Sequence, residues 1–279
     1  MPATETRPAE AIAALLGGRT SLALTGAGVS TDSGIPDYRG PNSPARQPMT
    51  YQDFVSGTAL QQRYWARAHI GWQRMAGAEP NAAHLALARL QNEGSLSGLI
   101  TQNVDGLHER AGHGYAVDLH GRIDRVICLN CRDVSMRHEL HERLSLLNPG
   151  HADRVVDFAP DGDALLEDTS SFRIAGCASC DGILKPDVVF FGENVPKNRV
   201  AQCIGLVEEA ESLLVLGSSL QVMSGLRFVR QARKRGIPVV IVNRGITRGD
   251  DLADLKIDAG CAETLSVMLS RTTGVRSSS

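Results

Sequence analysis

Two short cysteine motifs constrain what this chain can fold into more than any other feature. Cys128 and Cys131 form the first motif, and Cys177 and Cys180 form the second, with residues 132–176 between them. Four thiolates at this spacing are the ligand set of a closed tetrahedral zinc site, which stabilises a fold rather than catalysing a reaction. A redox role for one motif does not explain two copies. We therefore predict one structural Zn²⁺ ion held by these four cysteines.

Composition and charge exclude several classes of protein. Six cysteines among 279 residues are too few for a disulfide scaffold, and reduced thiolates favour a cytoplasmic location. The net charge of −2 provides no basic surface for nucleic-acid phosphates, so no nucleic-acid partner is expected. No apolar run approaches the ~20 residues of a membrane span, and residues 1–10 lack the features of a signal or transit peptide. We expect no membrane partner.

Short apolar strands alternate with helical segments on both sides of the cysteine motifs. Examples are the strands at 21–25 and 239–242, and residues 188–191 are expected to form another. Strands that are apolar on both faces belong to a parallel sheet covered by helices. We predict an α/β fold with a Rossmann-like parallel sheet that has helices on both faces and is formed by residues 1–40, 79–124 and 183–273. Two insertions interrupt it, a helical one at 41–78 and a zinc-binding one at 125–182. Residues 274–279 are expected to form a disordered tail.

A glycine-rich turn, GAGVSTDSG at 26–34, follows the first strand. The backbone N–H groups of such a turn can approach a pyrophosphate at a helix N-terminus. The usual dinucleotide fingerprint has a third glycine where this chain has Thr31, so a phosphate loop and an ordinary tight turn both remain open. The polar loop that follows, with Asp37, Tyr38 and Arg39, could fold over a nucleotide or be a capped surface turn.

Polar side chains also follow other predicted strands, where ligands of open α/β sheets bind. Asn103 and Asp105 lie in TQNVDGLH at 101–108, which is either a ligand site or an Asx-capped turn. His120 lies in LHG at 119–121, and a histidine with a reference pKa of ~6.5 is suited to general base catalysis near neutral pH. The alternative is that His120 has only a structural role in the core. We interpret these residues as a site at one sheet edge.

Taken together, the motifs resemble those of the sirtuins. The likeness runs in order from about residue 10 to 270, and it rests on GAGVSTDSGIPDYRG at 26–40, TQNVDGLH at 101–108, LHG at 119–121, the paired cysteine motifs, KPDVVFFGE at 185–193 and GSSLQV at 217–222. The insertion with LNPG at 147–150 and APDGD at 159–163 resembles the class II branch, which includes the mitochondrial sirtuin-four type and bacterial relatives. Without a transit peptide, a bacterial, cytoplasmic member is expected.

The resemblance implies NAD-dependent removal of acyl groups from protein lysines. The acyl oxygen would attack C1′ of the nicotinamide ribose, and His120 would take a proton from the ribose hydroxyls. The products would be free lysine, nicotinamide and O-acyl-ADP-ribose. The acyl-lysine peptide would bind near Val188 and Phe190, with Asn103 and Asp105 near the nicotinamide. The residues implied to bind NAD are Gly26, Ala27, Gly28, Ser30, Ile35, Asp37, Tyr38, Arg39, Gln102, Asn103, Asp105, Gly217, Ser218, Ser219, Asn243, Gly245 and Cys261.

The resemblance leaves the acyl group and some alternatives open. Tyr64 and Arg67 are similar to a Y-x-x-R pair that binds acidic acyl groups in another sirtuin class, although Arg67 could equally be a solvated helix residue. The main alternative is a protein ADP-ribosyltransferase that uses the same NAD site. A non-catalytic module that binds NAD and zinc is a further alternative, and the missing third glycine disfavours a dehydrogenase. The protein is expected to act as a monomer on acyl-lysine proteins or peptides.

Overall fold

A parallel sheet of six strands organises most of the chain. The computed structural model describes residues 6–37, 48–154, 166 and 168–275. In chain order the strands of this sheet and of a second, smaller one are β1 (Ser21–Thr25), β2 (Leu96–Thr101), β3 (Ala116–Asp118), β4 (Gly121–Cys128), β5 (Val134–Met136), β6 (Leu184–Val188), β7 (Ser212–Leu216), β8 (Val239–Val242) and β9 (Leu255–Ile257). The strand order in the parallel sheet is β3-β2-β1-β7-β8-β9, and every adjacent pair is parallel.

Helices cover both faces of this sheet. In chain order the helices are α1 (Thr6–Leu16), α2 (Tyr51–Val55), α3 (Thr58–Gly77), α4 (Ala82–Asn92), α5 (Leu107–Arg110), α6 (Arg137–Leu147), α7 (Lys197–Glu209), α8 (Met223–Arg235) and α9 (Cys261–Val275). Successive residues of β1 point to opposite faces, so Ala23 packs under α1, α4 and α9, whereas Leu22 and Leu24 pack under α7 and α8. Every residue of β1, β7 and β8 is buried. The predicted α/β fold with a Rossmann-like sheet is confirmed.

A smaller module stands on a second sheet, antiparallel and with the order β5-β4-β6. Helices α2, α3 and α6 pack with this sheet around an apolar cluster that includes Phe54, Trp65 and Leu144. Thr50 begins α2 with a capping box, in which its hydroxyl accepts from the Asp53 amide at 3.1 Å. The aromatic residues of the helical insertion are thus mainly core.

The structure differs from the sequence prediction at residues 188–191, which are not a strand of the parallel sheet. The strand at this point is β6, which ends at Val188 and pairs with β4 in the small sheet. Residues beyond it form a turn: the Phe190 amide donates to Oε2 of Glu193, and the Glu193 amide donates to the Phe190 carbonyl. These bonds use main-chain groups that a strand ladder would need, so this prediction was wrong.

Two elements extend across positions at which the sequence analysis divides the chain. Strand β4 crosses the predicted boundary at residues 124–125 without a break. Helix α9 continues through Gly274 and Val275, which were expected to belong to a disordered tail, and residues 276–279 lie outside the described residues. Among the residues that the structure describes, none of the helices combines the length and the apolar character that a membrane crossing requires.

Candidate active site at the carboxyl edge of the sheet

A cleft of about 1000 Å³ lies at the carboxyl ends of β1, β2, β7 and β8, where the small module faces the parallel sheet. This is the edge at which open α/β sheets bind ligands. Its walls carry the glycine turn after β1, the polar segment after β2, His120, the segment after β6 and the loop after β7. The topology therefore brings together the motifs that the sequence spreads over more than half of the chain.

The glycine turn is shaped by direct packing against the turn that follows β7. The Gly28 amide donates to the Gly217 carbonyl at 2.8 Å. A Cβ atom at Gly26 would lie 2.7 Å from the Gly217 carbonyl oxygen, and a Cβ atom at Gly28 would lie 2.9 Å from the Cα atom of Gly217. Both positions therefore require glycine because two backbones meet there, and the cleft above them has no side chain from either residue.

Three polar side chains form a hydrogen-bond chain across the floor of the cleft. Asn103 is buried, and its Nδ2 atom donates to Oγ of Ser30 at 3.0 Å and to the Gly26 carbonyl at 3.1 Å. Ser30 in turn donates to Oδ2 of Asp105 at 2.7 Å. The other carboxylate oxygen of Asp105 accepts from the Leu107 amide at 2.9 Å. The amide and the carboxylate thus have fixed orientations in the cleft wall.

His120 is held at both ring nitrogens. Nδ1 lies 2.9 Å from the Gln102 carbonyl oxygen, and Nε2 lies 2.8 Å from Oγ of Ser224. Burial lowers the pKa of His120 below the ordinary histidine value, the carbonyl of Gln102 opposes this shift, and the positive charge of Arg199 adds to it. His120 is consequently neutral at pH 7 and available as a base.

Helix α5 and the start of α4 place two further histidines behind the site. Oγ1 of Thr25 lies 2.9 Å from Nε2 of His108, and the His108 ring lies 4.8 Å from that of His84, centroid to centroid. Burial lowers the pKa of His108 well below 6.5, and that of His84 is lowered for the same reason despite the opposing charge of Asp105. Both rings are therefore neutral, and His84 supports Ser30 directly, with 3.4 Å between Nε2 of His84 and Oγ of Ser30.

The cleft wall after β6 is organised by a buried lysine. Lys185 is 3% exposed, and its ammonium group lies 3.1 Å from Oε2 of Glu193 and 4.6 Å from the centroid of the Phe190 ring. It also donates to the carbonyl of Pro186 at 3.1 Å and to that of Val188. A buried charge requires such partners, so Lys185 fixes the turn that lines the cleft.

The four motif cysteines come together at the end of β4 and the start of β6, away from the cleft. Their Sγ atoms lie within 4.8 Å of one another, with 3.6 Å between Cys128 and Cys180 and 3.7 Å between Cys131 and Cys177. A tetrahedron with Zn–S bonds of ~2.3 Å has edges of ~3.8 Å. The cluster fits a structural Zn²⁺ ion, as predicted, and none of its members lines the cleft.

The cleft contains most of the residues singled out from the sequence. Arg67 does not line it, because its guanidinium turns to donate to the Leu166 carbonyl at 2.9 Å. Tyr38 and Arg39 lie outside the described residues. The residues singled out from the sequence that line the cleft are Gly26, Ala27, Gly28, Ser30, Ile35, Asp37, Tyr64, Gln102, Asn103, Asp105, His120, Val188, Phe190, Gly217, Ser218, Ser219, Asn243, Gly245 and Cys261.

The cleft also contains residues that sequence reasoning missed. Ser224 lies in the first turn of α8 and forms a hydrogen bond with His120. Arg137, only 2% exposed, lines the cleft with its guanidinium 5.1 Å from the ring centroids of both Trp65 and Trp72. No local motif marks either residue. A cation stacked between two tryptophans joins α3 to α6, which only the folded chain reveals.

The chain is similar in sequence and structure to proteins of one family. Residues 26–224 match the model of the Sir2 family. The chain is 54% identical over 262 residues to NAD-dependent protein deacetylase 1 of Mycobacterium avium (strain 104), with 92% of this chain and 93% of that protein covered. It is 47% identical over 251 residues to the NAD-dependent protein lipoamidase sirtuin-4, mitochondrial, of Bos taurus, with 88% and 80% covered. The solved structure of Sir2 with a p53 peptide and NAD⁺ has a TM-score of 0.77 and 31% identity, with 95% of this chain and 98% of that chain covered.

Proposed function

The chain belongs to the Sir2 family, and on that premise we propose how its cleft removes acyl groups from protein lysines at the expense of NAD. It is an NAD-dependent protein deacetylase of the sirtuin type, as its identity over most of its length with deacetylases of that family indicates. One observation carries the assignment of roles. His120, Asn103 and Asp105 line one cleft. The pKa of His120 is lowered, and its Nε2 atom is hydrogen-bonded to Ser224 in the same cleft.

The residues of the cleft fit NAD. Gly26 and Gly28 line the cleft with backbone atoms alone, and at Gly245, with a φ of +79°, a Cβ atom would meet no other atom within 4 Å. Hydroxyl and amide groups of Ser219 and Asn243 line the same edge and are suited to ribose and adenine. We assign the phosphates to the glycine turn and the nicotinamide end to Asn103 and Asp105. Bound NAD supplies an electrophilic sugar carbon and ribose hydroxyl groups.

The base is Nε2 of His120. Because the Gln102 carbonyl can only accept, Nδ1 carries the ring hydrogen and Nε2 keeps its lone pair. With NAD bound, His120 would take a proton from a ribose hydroxyl. That oxygen would then bond to the acyl carbon, the bond from this carbon to the lysine nitrogen would break, and water would supply the remaining oxygen and protons. Asn103 and Asp105 orient the sugar and its leaving group, and both side chains are held in place by their hydrogen bonds to Ser30. The zinc site holds the small module together and exchanges no atoms with the substrate.

The acyl-lysine peptide enters along the turn after β6. Val188 and Phe190 line the cleft, yet the Val188 carbonyl and both main-chain groups of Phe190 already have partners in the turn. Their side chains therefore contribute surface. The main-chain N–H groups of Gly192 and Asn194 make no hydrogen bond within the described part of the chain, so we assign backbone pairing with the peptide to this stretch.

The remaining parts of the proposal concern setting and organisation. The protein acts on acyl-lysine peptides as a monomer and not on nucleic acid, in keeping with its net charge of −2. Four metal-binding thiolates suit a reducing, cytoplasmic setting. Residues 1–40, 79–124 and 183–273 supply the NAD-binding part, except that β4 and β6 belong to the sheet of the small module, which the two insertions complete. A bacterial member of the class II branch matches the relatives described above.

Mass spectrometry of the protein with NAD and a panel of acylated peptides tests the function and defines the acyl class. The panel contains acetyl, longer fatty acyl, lipoyl, succinyl and glutaryl lysine. Loss of an acyl group together with O-acyl-ADP-ribose formation is expected. A stable mass increase of a protein substrate without deacylation would favour ADP-ribosyl transfer instead. Equal turnover of succinyl and glutaryl peptides by Arg67→Ala and wild type is expected, because Arg67 lies outside the cleft wall.

A further inference from the structure

Ser224 lies against the one ring nitrogen of His120 that can act as a base. Its Oγ atom is 2.8 Å from Nε2, and both residues line the cleft. We propose that Ser224 is a positioning residue that occupies Nε2 of His120 until a ribose hydroxyl of NAD takes its place. The inference deepens the proposed function and rests on it.

The direction of this hydrogen bond follows from the other end of the ring. Nδ1 of His120 lies 2.9 Å from the Gln102 carbonyl oxygen, which can only accept. Nδ1 therefore carries the hydrogen, and in the neutral ring Nε2 has a lone pair and no hydrogen. Ser224 must then donate its hydroxyl hydrogen to Nε2. The two contacts together select one tautomer and prevent the ring from turning over.

Gln102 also fixes the place of Ser224. A Cβ atom at Gly225 would lie 2.5 Å from Oε1 of Gln102, so the start of α8 packs closely on this side chain. Nε2 of Gln102 donates to Oγ of Ser218 at 2.7 Å and to the Thr25 carbonyl at 3.3 Å. The same residue thus holds His120 through its main chain and α8 through its side chain. The distance between Ser224 and His120 is set by this packing.

A competition follows from the chemistry of imidazole. Nε2 has a single lone pair in the plane of the ring, so it accepts one hydrogen bond at a time. While Ser224 donates to it, a ribose hydroxyl cannot. Binding of NAD in the reactive position must break the Ser224 bond, which makes affinity lower than it would be without the serine. A hydrogen bond of ordinary net strength corresponds to a factor of about 2 to 10 in the dissociation constant.

The proposal therefore predicts a gain in affinity on removing a polar group. Ser224→Ala should bind NAD about 2- to 10-fold more tightly than wild type, as measured by calorimetry without peptide. Ser224→Thr retains the hydroxyl and should bind like wild type. Damage to the site would weaken binding, so the sign of the change distinguishes competition from a structural role. Ser266→Ala removes a hydroxyl that bonds its own helix in α9 and serves as the matched control.

A double-mutant cycle locates the effect. In a His120→Ala background, Ser224→Ala should leave NAD affinity unchanged, because the serine then has no lone pair to occupy. ¹⁵N NMR of the NAD-free protein should show His120 with its hydrogen on Nδ1. Weaker or unchanged NAD binding by Ser224→Ala, a gain that persists without His120, or a hydrogen on Nε2 would overturn the proposal. Failure of the proposed function is separate, since it would appear as wild-type protein that binds NAD but removes no acyl group.

Discussion

A cluster of three histidines in the small module makes its stability depend on pH, and His69 is the centre of that cluster. His69 has no exposed surface, and its ring lies 4.3 Å from that of His141 and 5.9 Å from that of His151, centroid to centroid. Burial lowers its pKa to about 3, and the charges of His141, Arg137 and His151 act in the same direction. Its other close neighbours are Phe172 and the hydroxyl of Ser145.

The sign and size of the effect follow from linkage. The unfolded chain takes up a proton on His69 near pH 6.5, whereas the folded chain does so only near pH 3. Between these values the unfolded state binds more protons, so the free energy of unfolding falls as pH falls. At pH 5, which lies about 1.5 units below the pKa of His69 in the unfolded chain, this one group lowers the free energy of unfolding by about 2 kcal/mol relative to pH 7.

The assay is urea denaturation at pH 7 and pH 5, with His69→Gln compared with wild type. The variant should lose about 2 kcal/mol less than wild type between the two pH values, whatever its stability at pH 7. His138→Gln is the control for the substitution itself, because His138 is exposed on α6 of the same module. An equal pH dependence in wild type and His69→Gln would refute the argument that His69 is neutral in the folded state.

Three further predictions concern zinc, backbone packing and the base. Atomic absorption of the purified protein should find one zinc ion per chain, and Cys131→Ser should lose this ion. Cys203→Ala should retain it, because Cys203 is a buried cysteine outside the cluster. Gly121→Ala should lower the free energy of unfolding by more than ~2 kcal/mol in thermal or urea denaturation, because φ there is +82° and a Cβ atom would lie 2.0 Å from a β6 carbonyl oxygen. The control is Gly205→Ala, in open space on α7, which should raise the free energy of unfolding by ~0.5–1 kcal/mol. The acidic limb of kcat/KM against pH should lie below the reference histidine value of ~6.5, since the pKa of His120 is lowered and the base must be neutral; a limb above that value would contradict the burial argument.

Much of the fold could be predicted from the sequence because the parallel sheet is buried on both faces. Strand β8 is a continuous apolar run, and β1 has three apolar residues at its centre. Helices begin at local signals such as Asn81, whose side chain accepts from two amides at the start of α4. The cysteine cluster was equally accessible, since ligand spacing alone restricts the metal site. These features depend on local chemistry that the chain order displays.

Other features depend on contacts between distant segments and could not be predicted. The apolar run at 188–191 could be a strand or a buried turn, and the choice is made by Lys185 and Glu193, whose ion pair exists only after folding. Tyr64 and Arg67 share a helix face, yet the long arginine side chain reaches a carbonyl in the insertion instead of the cleft. Ser224 has no motif of its own. Its importance comes from the hydrogen bond to His120 across 104 positions of sequence.

The most direct test of the central claim is to measure the three products of one reaction, with an acylated peptide that the protein turns over. Mass spectrometry should find free lysine peptide, nicotinamide and O-acyl-ADP-ribose in equal amounts from wild-type protein. With His120→Gln, which removes the basic nitrogen, formation of O-acyl-ADP-ribose should fall at least 100-fold, the lower end of what a general base contributes. Full turnover by His120→Gln, or acyl loss that consumes no NAD, would contradict the account.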